Sequence, residues 1–245
     1  FKKIFKSKKQ KGVFNTMKSL VFDSGPIINL AMNNLLWILK PLKEKFGGEF
    51  YITESVKREC IDRPLTSKKF KFEALQSLKI LQEGVIKVYK HEDLKDKTIT
   101  LLRQSNSLFK VHNNFVKNVQ YAEVECIVVQ QILNSDAVVI DEFITRNLIE
   151  DPRSVKKRME RRMHTSVHIA EENLQTFEEL VKEVKVIRSF ELIAIAFELG
   201  IFEKYYLDIE KPKITLLDAL LWAVKLNGCS VTEKEISDTK SAIRI

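Results

Sequence analysis

The sequence predicts an α/β fold of three layers, in which a parallel sheet is flanked by helices. Two observations lead to this prediction. Short apolar segments alternate along the chain with longer segments of helical periodicity. The apolar segments also lack polar alternation, which is typical of parallel strands that are buried on both faces. With 245 residues, of which 44% are hydrophobic, the chain can bury a substantial core.

The first half of the chain contains three predicted strands and three predicted helices. The strands cover residues 19–23, 49–53 and 85–89. The helices cover residues 26–46, 54–62 and 67–82. Pro26 suits the first turn of a helix, because its missing N–H has no helical partner there. Gly47 and Gly48 end the first helix, and Thr53 can cap the second. Residues 91–118 are polar and favour neither type of structure.

The second half of the chain continues the alternation. Two further strands cover residues 136–142 and 184–189. Four further helices cover residues 122–133, 143–150, 190–200 and 214–228. The long, charged segment 153–183 predicts a basic helical insertion. We therefore expect a basic extension at residues 1–17 and one α/β domain at residues 18–245, which includes the insertion and a C-terminal extension at residues 207–245.

The positive charge of the chain is clustered. The net charge is +8, and residues 1–18 contain seven lysines and no acid. Residues 153–162 contain six basic residues against Glu160. Such clusters favour a polyanionic partner, since bound phosphates release their counterions. The alternative is a solvated, lysine-rich surface. Charge alone does not distinguish RNA from DNA.

The cysteines and the hydropathy indicate a cytoplasmic protein. Cys60, Cys126 and Cys229 are widely spaced in apolar, helix-like segments, so we expect them to be reduced and buried. No segment approaches the roughly 18 consecutive apolar residues of a membrane span. No secretory signal is recognisable at the basic start of the sequence. We therefore expect no membrane partner.

Two of the predicted strands end in a carboxylate. Asp23 follows the first strand in VFDSG, and Asp141 follows the fourth in VVIDE. Functional groups of open parallel sheets gather beyond the carboxyl ends of the strands. If these two strands are neighbours, the carboxylates lie side by side, and a bound cation would relieve their repulsion. Clustered carboxylate oxygens suit Mg²⁺ or Mn²⁺. The alternative for Asp23 is a helix cap.

Glutamates from two predicted helices can enter the same cleft. Glu59 lies in the helix after the second strand, and Glu123 lies in the helix before the fourth. Glu125 is two residues beyond Glu123 and points about 200° away on a helix, so one of the two faces the cleft. We expect this one to be Glu123. The alternative for each glutamate is a solvated helix face.

The order and spacing of these motifs resemble the PIN-domain ribonucleases of prokaryotes. The resemblance rests on the segments VFDSGPIINLA (21–31), YITESVKREC (51–60), AEVECIVVQQILNSDAVVIDEFITR (122–146) and VIRSFELIAIAFELGIFEKY (186–205). It covers about residues 18–150 and 184–206. The chain departs from the pattern at Tyr121-Ala122, where these proteins usually have a glycine before the first glutamate, and in its long insertion.

The resemblance implies a PIN-like fold and cleavage of RNA with the help of a divalent metal ion. The catalytic carboxylates would be Asp23, Glu59, Glu123 and Asp141, of which Asp23, Glu123 and Asp141 would bind the metal. Alternative or supporting residues would be Ser24, Glu125 and Glu142. Arg146 matches an arginine of the family and would contact phosphate or pair with Glu142. The basic run of the insertion would guide RNA to the metal through Lys156, Lys157, Arg158, Arg161 and Arg162.

The sequence therefore leaves two functions open. The first is a metal-dependent endoribonuclease that hydrolyses RNA phosphodiester bonds in single-stranded regions. The second is a catalytically weak, PIN-like scaffold that binds RNA or a ribonucleoprotein, which the missing glycine favours. A homodimer or a ribonucleoprotein partner is compatible with both functions.

Overall fold

The protein is described by a computed structural model that covers residues 18–243, so the predicted basic extension at 1–17 lies outside the described residues. Five parallel strands form the main sheet in the order β3-β2-β1-β6-β8. They are β1 Ser19–Phe22, β2 Glu49–Ile52, β3 Lys87–Val88, β6 Ala137–Val139 and β8 Val186–Ile187. Helices flank this sheet, which confirms the predicted α/β class. The first and fourth predicted strands are neighbours, since Val21 pairs with Val138.

The remaining elements surround this sheet. The helices are α1 Ser24–Met32, α2 Leu39–Phe46, α3 Glu54–Lys57, α4 Arg63–Leu65, α5 Lys71–Gln82, α6 Leu94–Ser105, α7 Tyr121–Leu133, α8 Phe143–Glu150, α9 Pro152–Met163, α10 Glu171–Val181, α11 Ser189–Glu198, α12 Pro212–Leu226 and α13 Glu233–Ala242. A π-helix covers Arg58–Asp62, and 3-10 turns cover Leu36–Ile38 and Glu203–Tyr205. A small antiparallel sheet contains β4 Phe109–Val111, β5 Asn114–Phe115 and β7 His168–Ile169.

The central strand of the main sheet forms the middle of the core. Every residue of β1 is buried, and the Phe22 ring packs 5.2 Å from that of Phe50, centroid to centroid. The three cysteines are free and buried. Among the helices of residues 18–243, none has both the length and the apolar character that crossing a bilayer requires. The buried centre holds β1 rigidly, and with it the carboxylate that follows.

The first predicted helix is interrupted, which differs from the expectation of one helix to Phe46. α1 ends at Met32, and Asn34 adopts a left-handed backbone with φ 54°. Asparagine tolerates this conformation better than most residues do. The chain then turns, and the Leu35 amide donates to the Leu30 carbonyl at 2.7 Å. The apolar spacing continues across this turn, so periodicity alone does not show it.

The polar segment 91–118 and the insertion 153–183 pair with each other. The first contains α6 and the hairpin of β4 and β5, and the second contains α9, β7 and α10. Phe109 of β4 pairs with Ile169 of β7 in antiparallel register. The insertion is therefore mostly helical, as predicted, but it also contributes a strand. This pairing joins residues that are distant in sequence, and no local pattern indicates it.

Candidate active site

Asp23 and Asp141 lie at the carboxyl ends of the two central strands. The Asp23 amide donates to the carbonyl of Val139 in β6 at 3.0 Å, so the two strand ends are held together. A Cβ atom placed on Gly25 would lie 3.6 Å from both Asp23 Oδ2 and Asp141 Cβ. The two side chains thus begin on either side of the start of α1. Glycine at this position leaves the space between them open.

Asp23 is a buried carboxylate with one oxygen that lacks a partner. Its side chain is 3% exposed. Oδ2 accepts a long hydrogen bond from the Gly25 amide at 3.4 Å and so caps α1, whereas Oδ1 has no hydrogen-bond partner among residues 18–243. Burial, with a further contribution from the Glu123 charge, raises the pKa of Asp23 to about 7. The predicted capping role and an unsatisfied oxygen therefore coexist in one side chain.

Glu123 and Glu59 lie near this carboxylate. Glu123 is in the first turn of α7, and its Oε2 accepts hydrogen bonds from the Thr145 hydroxyl and the Gln120 amide. Burial raises the pKa of Glu123, and the charge of Glu59 adds to that effect. Glu59, on the π-helix, also raises the pKa of Asp23. The structure thus brings the four predicted catalytic carboxylates to one edge of the sheet, with Glu59 and Glu123 near Asp23 and with Asp141 at the neighbouring strand end.

Glu142 joins the same group through Thr145. Its carboxylate caps α8 by accepting from the Thr145 amide at 2.7 Å, while the Thr145 hydroxyl donates to Glu123. The charge of Glu142 also raises the pKa of Glu123. We call Asp23, Glu59, Glu123 and Glu142 the acidic cluster. Its members come from the end of β1, the π-helix, α7 and the start of α8.

Asp141 is surrounded by hydrogen-bond donors instead. It is 3% exposed. Its Oδ1 accepts from the Ser189 amide at 2.7 Å, and its Oδ2 accepts from the Ser189 hydroxyl at 2.7 Å and from Asn29 Nδ2 at 3.1 Å. The Cys229 thiol contributes a further hydrogen bond, and although these donors lower the pKa of Asp141, burial leaves it raised. The carboxylate is thus directed at α1, at α11 and at the segment after α12.

Glu125 faces away from the acidic cluster, whereas Ser24 interacts with Asp23 through its backbone. Glu125 is buried and accepts from the Ser55 amide, at 3.3 Å, in the first turn of α3. Glu123 and Glu125 therefore face different partners, as their spacing predicts. Ser24 begins α1 and accepts a hydrogen bond from the Cys60 thiol through its backbone carbonyl, at 3.7 Å. Its amide helps to lower the pKa of Asp23.

Arg146 pairs with Glu150 rather than with Glu142, which was the partner expected as an alternative to phosphate. The Nη1–Oε2 distance of this pair is 3.1 Å, and Arg146 Nε is buried with no partner in the described part of the chain. Both glutamates lie four positions from Arg146 in the sequence, but Glu142 is occupied as the cap of α8. The Arg146 guanidinium remains beside the Phe143 ring, 5.9 Å from its centroid.

The basic run of the insertion forms the exposed face of α9. Its arginine and lysine side chains that face solvent are Arg153, Lys157, Arg158, Arg161 and Arg162. Lys156 is half-buried and pairs with Glu160 at 3.7 Å. The Arg158 guanidinium stacks on the Phe143 ring, 4.2 Å from its centroid. Because Phe143 directly follows Glu142, this contact places the basic face beside the acidic cluster.

A divalent ion fits the chemistry of the acidic cluster. Four carboxylates provide hard oxygen ligands, and the partnerless Asp23 Oδ1 lacks the interaction that a cation would provide. Within the described range 18–243, however, no group of three or more His, Cys, Asp or Glu side chains is spaced to hold a metal ion. The carboxylates are close enough to shift one another's pKa, but they do not form a complete metal-coordination shell.

Sequence reasoning missed the role of Thr145 and the donors around Asp141. The role of Thr145 had a local signal in the sequence. Glu142 precedes a predicted helix, and Thr145 lies three residues later, at the position whose amide donates to a capping side chain. The donors around Asp141 had none, because Asn29 and Ser189 are 112 and 48 residues from Asp141. Only the fold brings these groups together.

Comparison with known proteins adds one finding on the family. A family model described as a PIN domain matches residues 19–151, more than half of the chain. The comparisons with curated proteins and with solved structures gave no match.

Proposed function

Because the chain belongs to the PIN-domain family, we propose that it is a metal-dependent endoribonuclease that hydrolyses phosphodiester bonds in single-stranded RNA. PIN domains are generally nucleases and typically use divalent metal ions, so a nuclease is the coarse assignment. The observation that carries the finer proposal is Asp23 Oδ1, a buried carboxylate oxygen without a partner, near Glu59 and Glu123.

The residues of the acidic cluster would have distinct roles. Mg²⁺ or Mn²⁺, when bound by Asp23, Glu59, Glu123 and Glu142, would lower the pKa of a bound water and neutralise charge on the scissile phosphate. Thr145 holds Glu123 and Glu142 through its hydroxyl and its amide, and so fixes their orientation. We propose Asp141 as a residue that positions the end of β6, since both of its oxygens already accept hydrogen bonds.

The exposed face of α9 would bind the RNA backbone. Arg158, Arg161 and Arg162 are exposed, and Arg158 is held against Phe143. Phosphates bound along this face would bring the strand towards Glu142, which precedes Phe143 in the chain. Arg146 would add a partly buried guanidinium on the same side, beside the same ring.

Replacing Arg158, Arg161 and Arg162 together with alanine should flatten the salt dependence of RNA binding. Loss of three phosphate contacts is expected to reduce the slope of log K against log[salt] by about 2. The measurement is fluorescence anisotropy of a labelled oligouridylate in EDTA over a salt series. Lys40, Lys45 and Lys79, which are exposed on α2 and α5, provide a matched triple alanine control. An unchanged slope in the arginine variant would remove α9 from the RNA path.

The proposed activity itself is tested by titrating Mn²⁺ against cleavage of a labelled single-stranded RNA. We expect cleavage that rises with Mn²⁺ and stops in EDTA. Glu123→Gln should reduce it by at least about 100-fold, because a ligand is lost from the site. Glu83→Gln, an exposed carboxylate that pairs with Lys79, is the control and should leave the rate unchanged.

The same titration tests the scaffold alternative. Two observations favour it: no group of three metal-ligating side chains is preformed within residues 18–243, and Ala122 replaces the family's glycine. RNA binding without cleavage at any Mn²⁺ concentration, and unaffected by Glu123→Gln, would support the scaffold and reject the nuclease.

A further inference from the structure

A basic-aromatic turn joins α4 to α5 and includes the first two residues of α5. We use this name for residues 66–72, TSKKFKF, every one of which is exposed. The segment contains three lysines, two phenylalanines and no acidic residue. Phe72 is 68% exposed and Phe70 is 38% exposed. Exposure of two neighbouring large apolar rings is unusual for a surface turn without a partner.

The turn has a defined conformation that keeps the rings in solvent. The Thr66 hydroxyl donates to the Arg63 carbonyl at 2.8 Å, and the Ser67 hydroxyl donates to the Lys69 carbonyl at 2.6 Å. Phe70 has φ 62°, a left-handed backbone that is an outlier for a bulky residue. The Ala74 amide then donates to the Phe70 carbonyl at 3.0 Å, which starts α5. Local bonds thus present the rings outwards.

The lysines of this turn are available to an anionic partner. Lys69 Nζ lies 4.5 Å from the centroid of the Phe70 ring. Over the part of the chain that the structure describes, Lys68, Lys69 and Lys71 form no ion pair. No acidic side chain of residues 18–243 therefore neutralises their charges. Positive charges interleaved with aromatic faces are the combination that binds single-stranded nucleic acid.

The topology places this turn on the side of the acidic cluster. The chain enters it from the short helix α4, which directly follows the π-helix that carries Glu59. The opposite end of α5 is anchored at the amino edge of the sheet, where Lys43 Nζ at the end of α2 donates to the Gly84 carbonyl at 2.8 Å. β3 then follows α5 and runs parallel to β2. The start of α5, and with it the turn, is therefore directed to the carboxyl edge.

We infer that the basic-aromatic turn binds the single-stranded RNA substrate, with unpaired bases stacked on Phe70 and Phe72 and phosphates bound by Lys68, Lys69 and Lys71. This inference rests on the proposed function and adds a second RNA contact to it. The turn continues from the Glu59 side of the acidic cluster, whereas Phe143 and Arg158 lie on the Glu142 side. A strand that contacts both crosses the carboxylates.

This placement favours RNA over a lipid surface. The contact of a cation with an aromatic ring occurs on both sides of the cluster, at Lys69–Phe70 and at Arg158–Phe143. A linear polyanion uses both contacts and the site between them. Binding to a lipid headgroup surface would not explain why the two contacts flank the carboxylates.

The test is RNA binding by the full chain in EDTA, measured by anisotropy with a labelled oligouridylate of about 12 nucleotides. We expect the double variant Phe70→Ala/Phe72→Ala to weaken binding by about 10-fold, since stacked bases are lost. Phe70→Tyr/Phe72→Tyr should restore it, because the rings remain. The matched control is Phe115→Ala/Tyr205→Ala, which also removes two exposed rings, 47% and 44% exposed, and leaves every lysine in place. This control should bind as the wild type does.

Unchanged RNA affinity in the phenylalanine double variant would overturn the inference. If that variant also loses binding to anionic phospholipid vesicles, the turn is assigned to a membrane instead. Because binding is measured without metal, the result is independent of cleavage. If the wild type does not cleave RNA but the double variant binds RNA more weakly, the proposed nuclease activity is rejected. The inference that the turn binds RNA is then still supported.

Discussion

Asp23→Asn should reduce Mn²⁺-dependent RNA cleavage by at least about 100-fold while it stabilises the metal-free protein above pH 7. The loss of activity follows from the loss of a charged ligand at the centre of the acidic cluster. The gain in stability follows from the burial of the Asp23 carboxylate. An ionised carboxylate with a partnerless oxygen, near Glu123 and Glu59, is unfavourable in the absence of a cation.

The pH dependence of this gain has a defined sign. The pKa of Asp23 rises from 3.8 to about 7 on folding, so between these values the folded protein binds a proton that the unfolded chain does not. The free energy of unfolding therefore falls as the pH rises through this window, and it is lowest above 7. Asparagine does not ionise, so Asp23→Asn removes this fall in the free energy of unfolding, which amounts to at most about 4 kcal/mol.

Urea unfolding in EDTA over a pH series measures the effect. The wild type and Asp23→Asn should differ above pH 7 and converge below the ordinary pKa of 3.8. Glu83→Gln, an exposed carboxylate, should follow the wild type throughout. Saturating Mn²⁺ should stabilise the wild type and not Asp23→Asn. An Asp23→Asn variant that is less stable than the wild type above pH 7 would show that the helix-capping role outweighs the repulsion.

The sequence predicts the centre of this site well, because local rules determine it. Apolar β1 and β6 have to be buried, and parallel strands place Asp23 and Asp141 at one edge. The two-residue spacing of Glu123 and Glu125 separates their directions. Periodicity does not show the break at Asn34, because the apolar spacing continues through it.

Contacts between distant segments are what the sequence does not predict. The pairing of Phe109 with Ile169 and the donation of Asn29 to Asp141 depend on how separate elements pack. The basic-aromatic turn is a different case. Sequence reasoning assigned most phenylalanines to the core and identified no basic-aromatic platform, because only the structure shows that both rings of this turn remain in solvent.

Asp141→Ala should have the opposite effect on stability from Asp23→Asn. It leaves the buried Ser189 amide and hydroxyl without this acceptor, whereas Asn29 Nδ2 still donates to the Val224 carbonyl at 2.8 Å. Hydrogen bonds to a charged acceptor contribute about 1.5–3 kcal/mol each. Burial of the ionised carboxylate offsets part of that sum, as its raised pKa shows. We therefore expect the free energy of unfolding to fall by about 3 kcal/mol rather than by the full sum.

The readout that separates positioning from metal binding is stability together with activity. Asp136→Ala is the matched control, since this carboxylate lies before β6 and accepts from the Ser19 amide at 3.0 Å; it should cost about 1 kcal/mol. If Asp141 positions the end of β6, Asp141→Ala unfolds at lower urea than Asp136→Ala, and Mn²⁺ stabilises it as it does the wild type. If Asp141 is a ligand, as the resemblance implies, the variant is destabilised to a similar extent without metal but loses both cleavage and stabilisation by Mn²⁺. The hydrogen bonds around Asp141 favour the first result, because they leave neither of its oxygens without a donor.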